Sequence, residues 1–235
     1  QVRTLRQQGL AVLQNLLNRA SSSEQRRRIE ARFSGFSHLQ VDLLIADGLT
    51  TEALFAAERY KNRVLTWILD SWQAEGICPS ITEMQTLLSP TTAAIYWHLS
   101  PDTLSTFLIT NDDTNPVVAT TRPSEAFTTW LKTWTRDYDE YRSKGKVNDQ
   151  SVKENHPWRA NLSQRLDELK IILNIDELAN NLSNINNLIL IPHRDLHRLP
   201  LHTFFPDTLT TYLPSTRIGL SLSQQPPTSA LAPLL

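Results

Sequence analysis

The chain has little cysteine, little net charge and no long apolar run. Its 235 residues include one cysteine, so a disulfide within the chain and a cysteine-rich zinc site are both excluded. The 23 basic and 24 acidic side chains nearly cancel, which leaves no overall field to attract nucleic acid or an acidic membrane. Neither a signal peptide nor a run long enough to span a bilayer is found. We therefore expect a cytoplasmic protein without direct contact to nucleic acid or membrane.

Proline is absent from residues 1–76, which permits long helices. Apolar residues at helical spacing predict a helix at the start of the chain, a second over 24–46 and a third over 51–72. Gly48 is expected to end the second helix. The sequence Glu-Ala-Leu-Phe-Ala-Ala-Glu-Arg at 52–59 resembles a helix of tetratricopeptide repeats. Since one helix pair cannot bury its own apolar face, we interpret residues 1–76 as the end of a longer helical array.

Two features of the first 90 residues suggest chemistry but are better explained by structure. We interpret residues 77–90 as a linker with a short helix, in which Cys78 directly precedes Pro79. No neighbouring base or cationic group would activate this thiol, so we expect no catalytic role for it. The triplet at 26–28 consists of arginines with glutamates on both sides, and we interpret it as a solvated helix face rather than a nucleic-acid site.

Residues 91–235 show the pattern of an α/β domain. Strand-like runs at 93–99 and 103–109 flank a Ser-Pro-Asp turn and predict a β-hairpin, with a third strand over 116–120. His98 lies within the first strand, and we interpret it as a cross-strand partner rather than a ligand. The further expected elements are a helix over 125–141 with an aromatic buried face, a mobile loop over 144–150, a helix over 158–173, a strand over 209–215 and a helix from Thr216 to Ser223.

The candidate site follows a buried strand near the C-terminal end. Four branched apolar residues at 188–191, closed by Pro192, predict a short strand that is buried on both faces. Open α/β sheets bind ligands outside the carboxyl ends of their strands, so the polar loop after this strand is expected to border a cleft. His193, Arg194 and Asp195 are the candidates for contact with a substrate there.

A metal site made of His193, His197 and His202 is the alternative use of this loop. Their spacing would suit one face of a helix. Pro192 and Pro200 interrupt any such helix, so we expect no metal and no cofactor, and we interpret His197 as a structural residue.

Three segments of this region resemble a known family. Ile189-Leu190-Ile191-Pro192, Asp195-Leu196-His197-Arg198-Leu199-Pro200-Leu201 and Tyr212-Leu213-Pro214-Ser215 are similar to the first half of the CHAT domain, whose caspase-like members are related to separase and often follow tetratricopeptide repeats. The resemblance is specific over 188–215 and looser over 51–235. It implies an α/β caspase-like three-layer sandwich, present in part and preceded by an α-helical repeat hairpin. Where many members have an Asp-Gly turn after the strand, this chain has His193-Arg194.

The resemblance also implies a cysteine endopeptidase, in which a histidine activates a cysteine for attack on a peptide carbonyl. In the family, both residues follow the region that corresponds to 212–215, the histidine within a His-Gly motif. This chain has no His-Gly pair and no cysteine after Cys78, so none of its own residues is expected to be catalytic. We expect the histidine and the cysteine beyond residue 235, in the same chain or in a second polypeptide, because both ends of the sequence look cut.

The resemblance implies two protein partners. One is a protein or peptide substrate, and the other is a protein regulator that binds the helical repeats. The alternative is a CHAT-like scaffold or regulatory module without enzymatic activity. The sequence encoded after Leu235 distinguishes the two, since only the protease requires a His-Gly motif and a further cysteine.

Overall fold

The centre of the fold is a five-stranded mixed sheet with helices packed on both faces. The computed structural model describes residues 2–69, 78–112, 117–144 and 156–224. The strands are β1 Thr92–Leu99, β2 Thr103–Ile109, β3 Val117–Pro123, β4 Asn187–Ile191 and β5 Leu209–Tyr212. The α-helices in the described ranges are α1 Val2–Asn18, α2 Ser23–Arg32, α3 Ser34–Ala46, α4 Thr50–Leu69, α5 Ile81–Gln85, α6 Glu125–Lys144, α7 Pro157–Ala160, α8 Leu162–Ile172, α9 Ile175–Asn180 and α10 Thr216–Ser223.

The strand order β3-β2-β1-β4-β5 combines two kinds of pairing. β1, β2 and β3 form an antiparallel meander, which confirms the predicted hairpin and third strand. β4 pairs with β1 in parallel, and β5 pairs with β4 in parallel. The apolar run at 188–191 is therefore a central strand, as its composition predicts. The strand expected over 209–215 is shorter than predicted and has β4 as its neighbour in the described sheet.

Residues of β1 alternate between two hydrophobic cores, because successive side chains of a strand point to opposite faces. One core lies between the sheet and helices α6, α8 and α9, and the other lies between the sheet and helices α3, α4 and α5. The first contains Ala93, Ile95, Trp97, Phe127, Trp130, Trp134 and Leu169, among others. The second contains Val41, Leu54, Ala57, Met84, Ala94, Tyr96 and Phe107, among others. The result is an α/β fold compatible with a three-layer sandwich.

The aromatic face predicted for the helix after β3 is confirmed for most of its length. Phe127, Trp130 and Trp134 are all buried, and the indole rings of Trp130 and Trp134 stack with centroids 5.0 Å apart. Tyr138, which continues the same stripe, is more exposed and contacts the ring of Trp158. These side chains form a core and offer no open aromatic platform.

Two of the predicted helices are each divided in the structure. The helix expected over 24–46 is interrupted at Phe33, whose backbone leaves the helical region (φ −113°, ψ 18°), and the helix expected over 158–173 is interrupted at Asn161 (φ −95°, ψ 7°). Apolar periodicity failed to predict these breaks, because a single residue outside the helical region barely disturbs the spacing. Helix α9 was not predicted.

The remaining helical expectations have mixed outcomes. Gly48 ends α3 in the left-handed conformation (φ 74°), as its position predicts. The end of the third predicted helix lies outside the described residues, as does the loop predicted over 144–150 except for Lys144, which is the last residue of α6. None of the helices in the described ranges has both the length and the apolar character needed to cross a membrane.

Candidate functional site

Three buried histidines from three different elements meet at the carboxyl ends of β1 and β4. His38 comes from α3, His98 from β1 and His193 from the residues after β4, and each is less than a tenth exposed. His38 Nδ1 lies 3.3 Å from His98 Nε2. The rings of His98 and His193 are nearly parallel, at 10°, with centroids 4.8 Å apart. The centroids of His38 and His193 are 5.4 Å apart.

The parallel pairing of β1 with β4 brings two of these histidines together. Tyr96 and Ile191 are opposite one another in the register, and both belong to the core under α3 and α4. Because side chains alternate with a period of two, the residues two positions further along each strand direction face the same side. Those residues are His98 and His193. The sheet therefore places both imidazoles against the helices, where α3 adds His38.

Helix α4 adds a buried lysine to this group. Lys61 Nζ donates a hydrogen bond to the backbone carbonyl of Pro192 at 2.7 Å, directly before His193. The same nitrogen lies 4.2 Å from the centroid of the Tyr96 ring, a cation–π distance. Burial lowers the pKa of Lys61 to about 7, and the nearby Glu58 carboxylate opposes that shift. Lys61 is thus close to the midpoint of its titration at neutral pH.

One helical turn before Lys61, the Glu58 carboxylate anchors the segment after β5. Its Oε1 accepts hydrogen bonds from Thr216 Oγ1 at 2.6 Å and from the backbone N–H of Arg217 at 3.0 Å. Asn62 Nδ2 donates to the same oxygen at 3.1 Å. A carboxylate is favourable there, because the first turn of a helix presents unsatisfied N–H groups. Helix α4 therefore holds the chain after β4 through Lys61 and the chain after β5 through Glu58.

The three histidines are uncharged at neutral pH. Burial is the main cause in each case, because a buried imidazole resists protonation. It lowers the pKa of His38 to about 4, with a smaller contribution from Arg194. It holds the pKa values of His98 and His193 well below the ordinary range, and the charges of Lys61, Arg194 and the other histidines act in the same direction. The charged neighbours that shift these pKa values are thus cationic.

The orientation of His193 does not suit a metal ion. Its Nδ1 accepts a hydrogen bond from the backbone N–H of Leu99 at 3.0 Å, so the proton of the neutral ring is on Nε2. A histidine that binds a metal normally donates through its second nitrogen, which leaves the first free as a ligand. The candidate ligand atoms of His38, His98 and His193 lie within 4.8 Å of one another, but Lys61 and Arg194 add positive charge. The cluster in this geometry is a set of neutral bases.

The three residues predicted to contact a substrate differ in their burial. His193 is buried in the cluster, Arg194 is exposed and Asp195 is half-buried. Asp195 Oδ1 lies 3.5 Å from Arg198 Nη1, a partly exposed ion pair. Arg194 adopts a left-handed backbone conformation (φ 55°), which is uncommon for a residue with a side chain. Contact of these residues with a substrate stays a prediction.

The loop after β4 contains no continuous helix. It forms two short 3₁₀ turns, Arg194–Arg198 and Leu201–Phe204, with Pro200 directly before the second. His197 and His202 are exposed and lie outside the buried cluster, and the backbone N–H of His202 donates to the Tyr212 hydroxyl at 2.9 Å. The loop thus has no continuous helix that could present all three histidines on one face, as its prolines predict.

Cys78 has the properties of a structural thiol. It is half-buried, and its Sγ lies 3.6 Å from the backbone carbonyl of Phe55. Burial, followed by the Glu58 carboxylate, raises its pKa to about 12, so the nucleophilic thiolate is scarce at neutral pH. These observations agree with the expectation that Cys78 is not a nucleophile.

Sequence reasoning missed most of this site. It singled out His193 but did not connect it with His38, Glu58 or Lys61, and it assigned His98 to cross-strand packing. The available signal was the alternation of side chains along β1 and β4, which places His98 and His193 on one face once parallel pairing is assumed.

Comparison of the chain with models of known protein families gives no match, and comparison with curated proteins gives no match either.

Proposed function

We propose that the chain is the N-terminal, non-catalytic part of a regulated cysteine endopeptidase of the CHAT type, with a caspase-like α/β fold. In this proposal, helical repeats that end in α3 and α4 bind a protein regulator. The histidine and cysteine that cleave the peptide bond lie beyond residue 235, in the same chain or in a second polypeptide. The loop after β4 then borders the cleft for a protein or peptide substrate.

The conformation of Arg194 is the observation that carries this proposal. The CHAT resemblance aligns His193-Arg194 with a turn that often contains glycine in the second position. Arg194 has the positive φ of 55° that glycine adopts without steric cost. The sequence departs from the family at this position, but its backbone conformation is one that glycine adopts readily, which is compatible with the Asp-Gly turn of many members.

The pairing of β1, β4 and β5 supports the proposal further. The segments that carry the resemblance are β4, its exit loop and β5 with the residues that follow. In the structure they form adjacent parallel strands, and the loop leaves β4 at its carboxyl end. This is the end of a parallel sheet at which α/β proteins build their sites. The elevated pKa of Cys78 agrees with a nucleophile supplied from elsewhere.

A non-enzymatic scaffold is the second candidate, and helix α1 favours it. Leu5, Val12 and Leu16 are spaced by seven and four residues, which places them on one side of the helix, and all three are exposed. A groove of about 310 Å³ lies between α1, α3 and α4 and is lined by Leu10, Leu13, Gln14 and Tyr60, among others. The exposed apolar side of α1 fits protein binding with or without a protease domain.

The two candidates are separated by the coding sequence beyond Leu235 and by a cleavage assay. The chain extended to its natural end, or combined with its second polypeptide, is incubated with a denatured protein substrate, with and without a thiol alkylating agent. The protease proposal expects cleavage that stops on alkylation and on replacement of the new cysteine by alanine. A stop codon after Leu235 with no partner polypeptide, or cleavage by residues 1–235 that Cys78→Ala abolishes, would contradict it.

A further inference from the structure

We propose that His38, His98, His193 and Lys61 form a proton-operated latch, which holds helices α3 and α4 against the carboxyl ends of β1 and β4. Four separate segments supply the four groups, so the contact between the helical layer and the sheet depends on keeping them side by side. In the uncharged state, the imidazoles pack as buried rings. In the protonated state, the same groups repel one another in a site with little water.

The ring contacts show how closely the groups are confined. The His38 ring lies between the sheet and α4, with its centroid 5.1 Å from that of His98 and 4.3 Å from that of Tyr60. The Tyr60 ring also meets the His193 ring, with centroids 6.2 Å apart. Since each of the three histidines is less than a tenth exposed, we expect that a charge on one of them can be solvated only if a helix or a strand end moves. Protonation of the cluster therefore acts on the packing of α3 and α4.

The charged groups around the histidines offer little compensation. On α3, the Asp42 carboxylate accepts hydrogen bonds from Ser100 Oγ and Thr103 Oγ1 at the β1–β2 turn. On α4, Glu58 holds Thr216 and the backbone of Arg217, and it acts on Lys61 rather than on the rings.

The remaining charged neighbours increase the repulsion. Arg194 follows His193 and lowers the pKa of all three histidines, while Lys61 lowers those of His98 and His193. His197, on the same loop, has a pKa lowered by desolvation of its imidazole and by the charge of Lys61. Burial raises the pKa of the Tyr96 phenol, so this group stays neutral in the acid range. A proton that enters the cluster thus meets cations on the sheet side and on α4.

The sign of the pH dependence follows from the lowered pKa values. An imidazole in the unfolded chain takes up its proton near pH 6.5, whereas His38 in the folded chain does so only at about pH 4. Between these values the open or unfolded state binds more protons, so the closed latch loses stability as the pH falls. Above pH 6.5, the histidine contribution to closing is fully present.

Amide hydrogen exchange at about pH 7.5 and about pH 4.5 tests the latch, after correction for the intrinsic exchange rate. We expect exchange in α3 and in residues 193–199 to accelerate more than about tenfold at the lower pH, because one histidine whose pKa changes from about 6.5 to about 4 on folding supplies at least that factor. Helix α6, on the opposite face of the sheet, should keep its protection. Loss of protection in α3 and α6 together, or in neither, would overturn the proposal.

Replacement of single histidines shows whether the cluster is responsible. His38→Gln and, as a second variant, His98→Gln each remove one titrating ring, so the acceleration at low pH should become smaller in both. His202→Gln, which replaces an exposed histidine, is the matched control and should behave like the original chain. Protection of α3 near neutral pH verifies that each variant is folded. Equal acceleration in all three variants would contradict the proposal.

Added Zn²⁺ separates the latch from a metal site. The orientation of His193 predicts that Zn²⁺ leaves the thermal unfolding midpoint at neutral pH unchanged. A midpoint that rises with Zn²⁺ in the original chain but not in His38→Gln would assign the three histidines to a metal and reject the latch. A role of this latch in opening the substrate cleft would rest on the proposed function. The exchange experiment tests the latch alone and does not depend on that function. If amide exchange contradicts the latch, the protease proposal is unaffected. If the cleavage assay contradicts the protease proposal, the latch is unaffected.

Discussion

The two faces of the sheet are built by different chemistry. The face under α6 is covered by apolar side chains, with Trp97 and Phe127 fully buried. The face under α3 and α4 begins in the same way, with Leu54 and Tyr96, but ends in three histidines and Lys61 at the carboxyl end of the strands. One face holds helices by removal of apolar surface from water, and the other adds buried groups that can become charged.

This difference indicates which part of the molecule should respond to pH. Apolar burial has no proton to gain, so the apolar core under α6 should respond to pH far less than the opposite face. On that side, the Asp137 carboxylate of α6 pairs with Arg165 of α8. Desolvation of this carboxyl group is outweighed by Arg136 and Arg165, so its pKa is lowered and it takes up a proton only below the ordinary range of a carboxyl group. Buried bases bind fewer protons than the same groups in water, so the opposite face should weaken in acid. The face that should weaken in acid is the one covered by α3 and α4, and the loop after β4 lies at its edge.

The largest loss of stability is expected from a substitution in the apolar core under α6. Phe127→Ala removes a fully buried ring that packs within the core under α6, and it should lower the free energy of unfolding by about 3–5 kcal/mol. The loss should be the same near neutral and near acid pH, because no titrating group is involved. Chemical denaturation at both pH values measures it. Thr129→Ala, on the exposed side of the same helix, should change little, and a similar loss there would show that α6 itself is fragile.

Removal of the Glu58 carboxylate on the opposite face should lower the free energy of unfolding somewhat less than Phe127→Ala. Glu58→Ala leaves the Thr216 hydroxyl and the Arg217 N–H without their acceptor in a buried place, and it should lower the free energy of unfolding by about 2–3 kcal/mol. Glu52→Ala, at an exposed position of the same helix, is the control. Equal effects of the two changes in a denaturation series would mean that the carboxylate of Glu58 anchors nothing.

Removal of one titrating ring should reduce the dependence of stability on pH. Between neutral pH and about pH 4, the original chain should lose up to about 3 kcal/mol through His38 alone, since one pKa unit corresponds to about 1.4 kcal/mol. His38→Gln should lack that part of the loss. The difference between the two stability curves against pH measures it, and parallel curves would remove His38 from the account.

The smallest effect is expected in the loop after β4. Arg194→Gly removes the steric cost of a left-handed backbone but increases the freedom of the unfolded chain, and a gain of about 0.5 kcal/mol should remain. Arg194→Ala keeps the cost and is the control for loss of the side chain. A glycine variant that is less stable than the alanine variant would show that the turn has another shape.

Much of the sheet was predictable from the sequence, because local patterns determine strands well. The alternation over 93–109, broken by Ser-Pro-Asp, gives a hairpin, and the apolar run at 188–191 gives a central strand. The breaks at Phe33 and Asn161 were not predictable in the same way. Each depends on the backbone of a single residue, while the apolar spacing on either side continues to suit a helix.

The site was only partly predictable, because its members are distant in sequence. His193 follows a buried strand, and that position is typical of functional residues. His38 and Lys61 come from helices that precede the sheet, and nothing in their local sequence indicates which strand end they meet. Parallel pairing of β1 with β4 and packing of α3 and α4 on one face are needed first. Tertiary structure, rather than a motif, creates the cluster.

The titration of His38, followed by the NMR signal of its ring, tests most directly the claim that one face of the sheet holds buried neutral bases. The structure predicts that this ring keeps its neutral signal through pH 6.5 and titrates with a pKa of about 4. The same histidine in the urea-unfolded chain should titrate at about 6.5. A pKa near 6.5 in the folded chain would contradict the account, because His38 would then be accessible to water and no cluster would lie between the helices and the sheet.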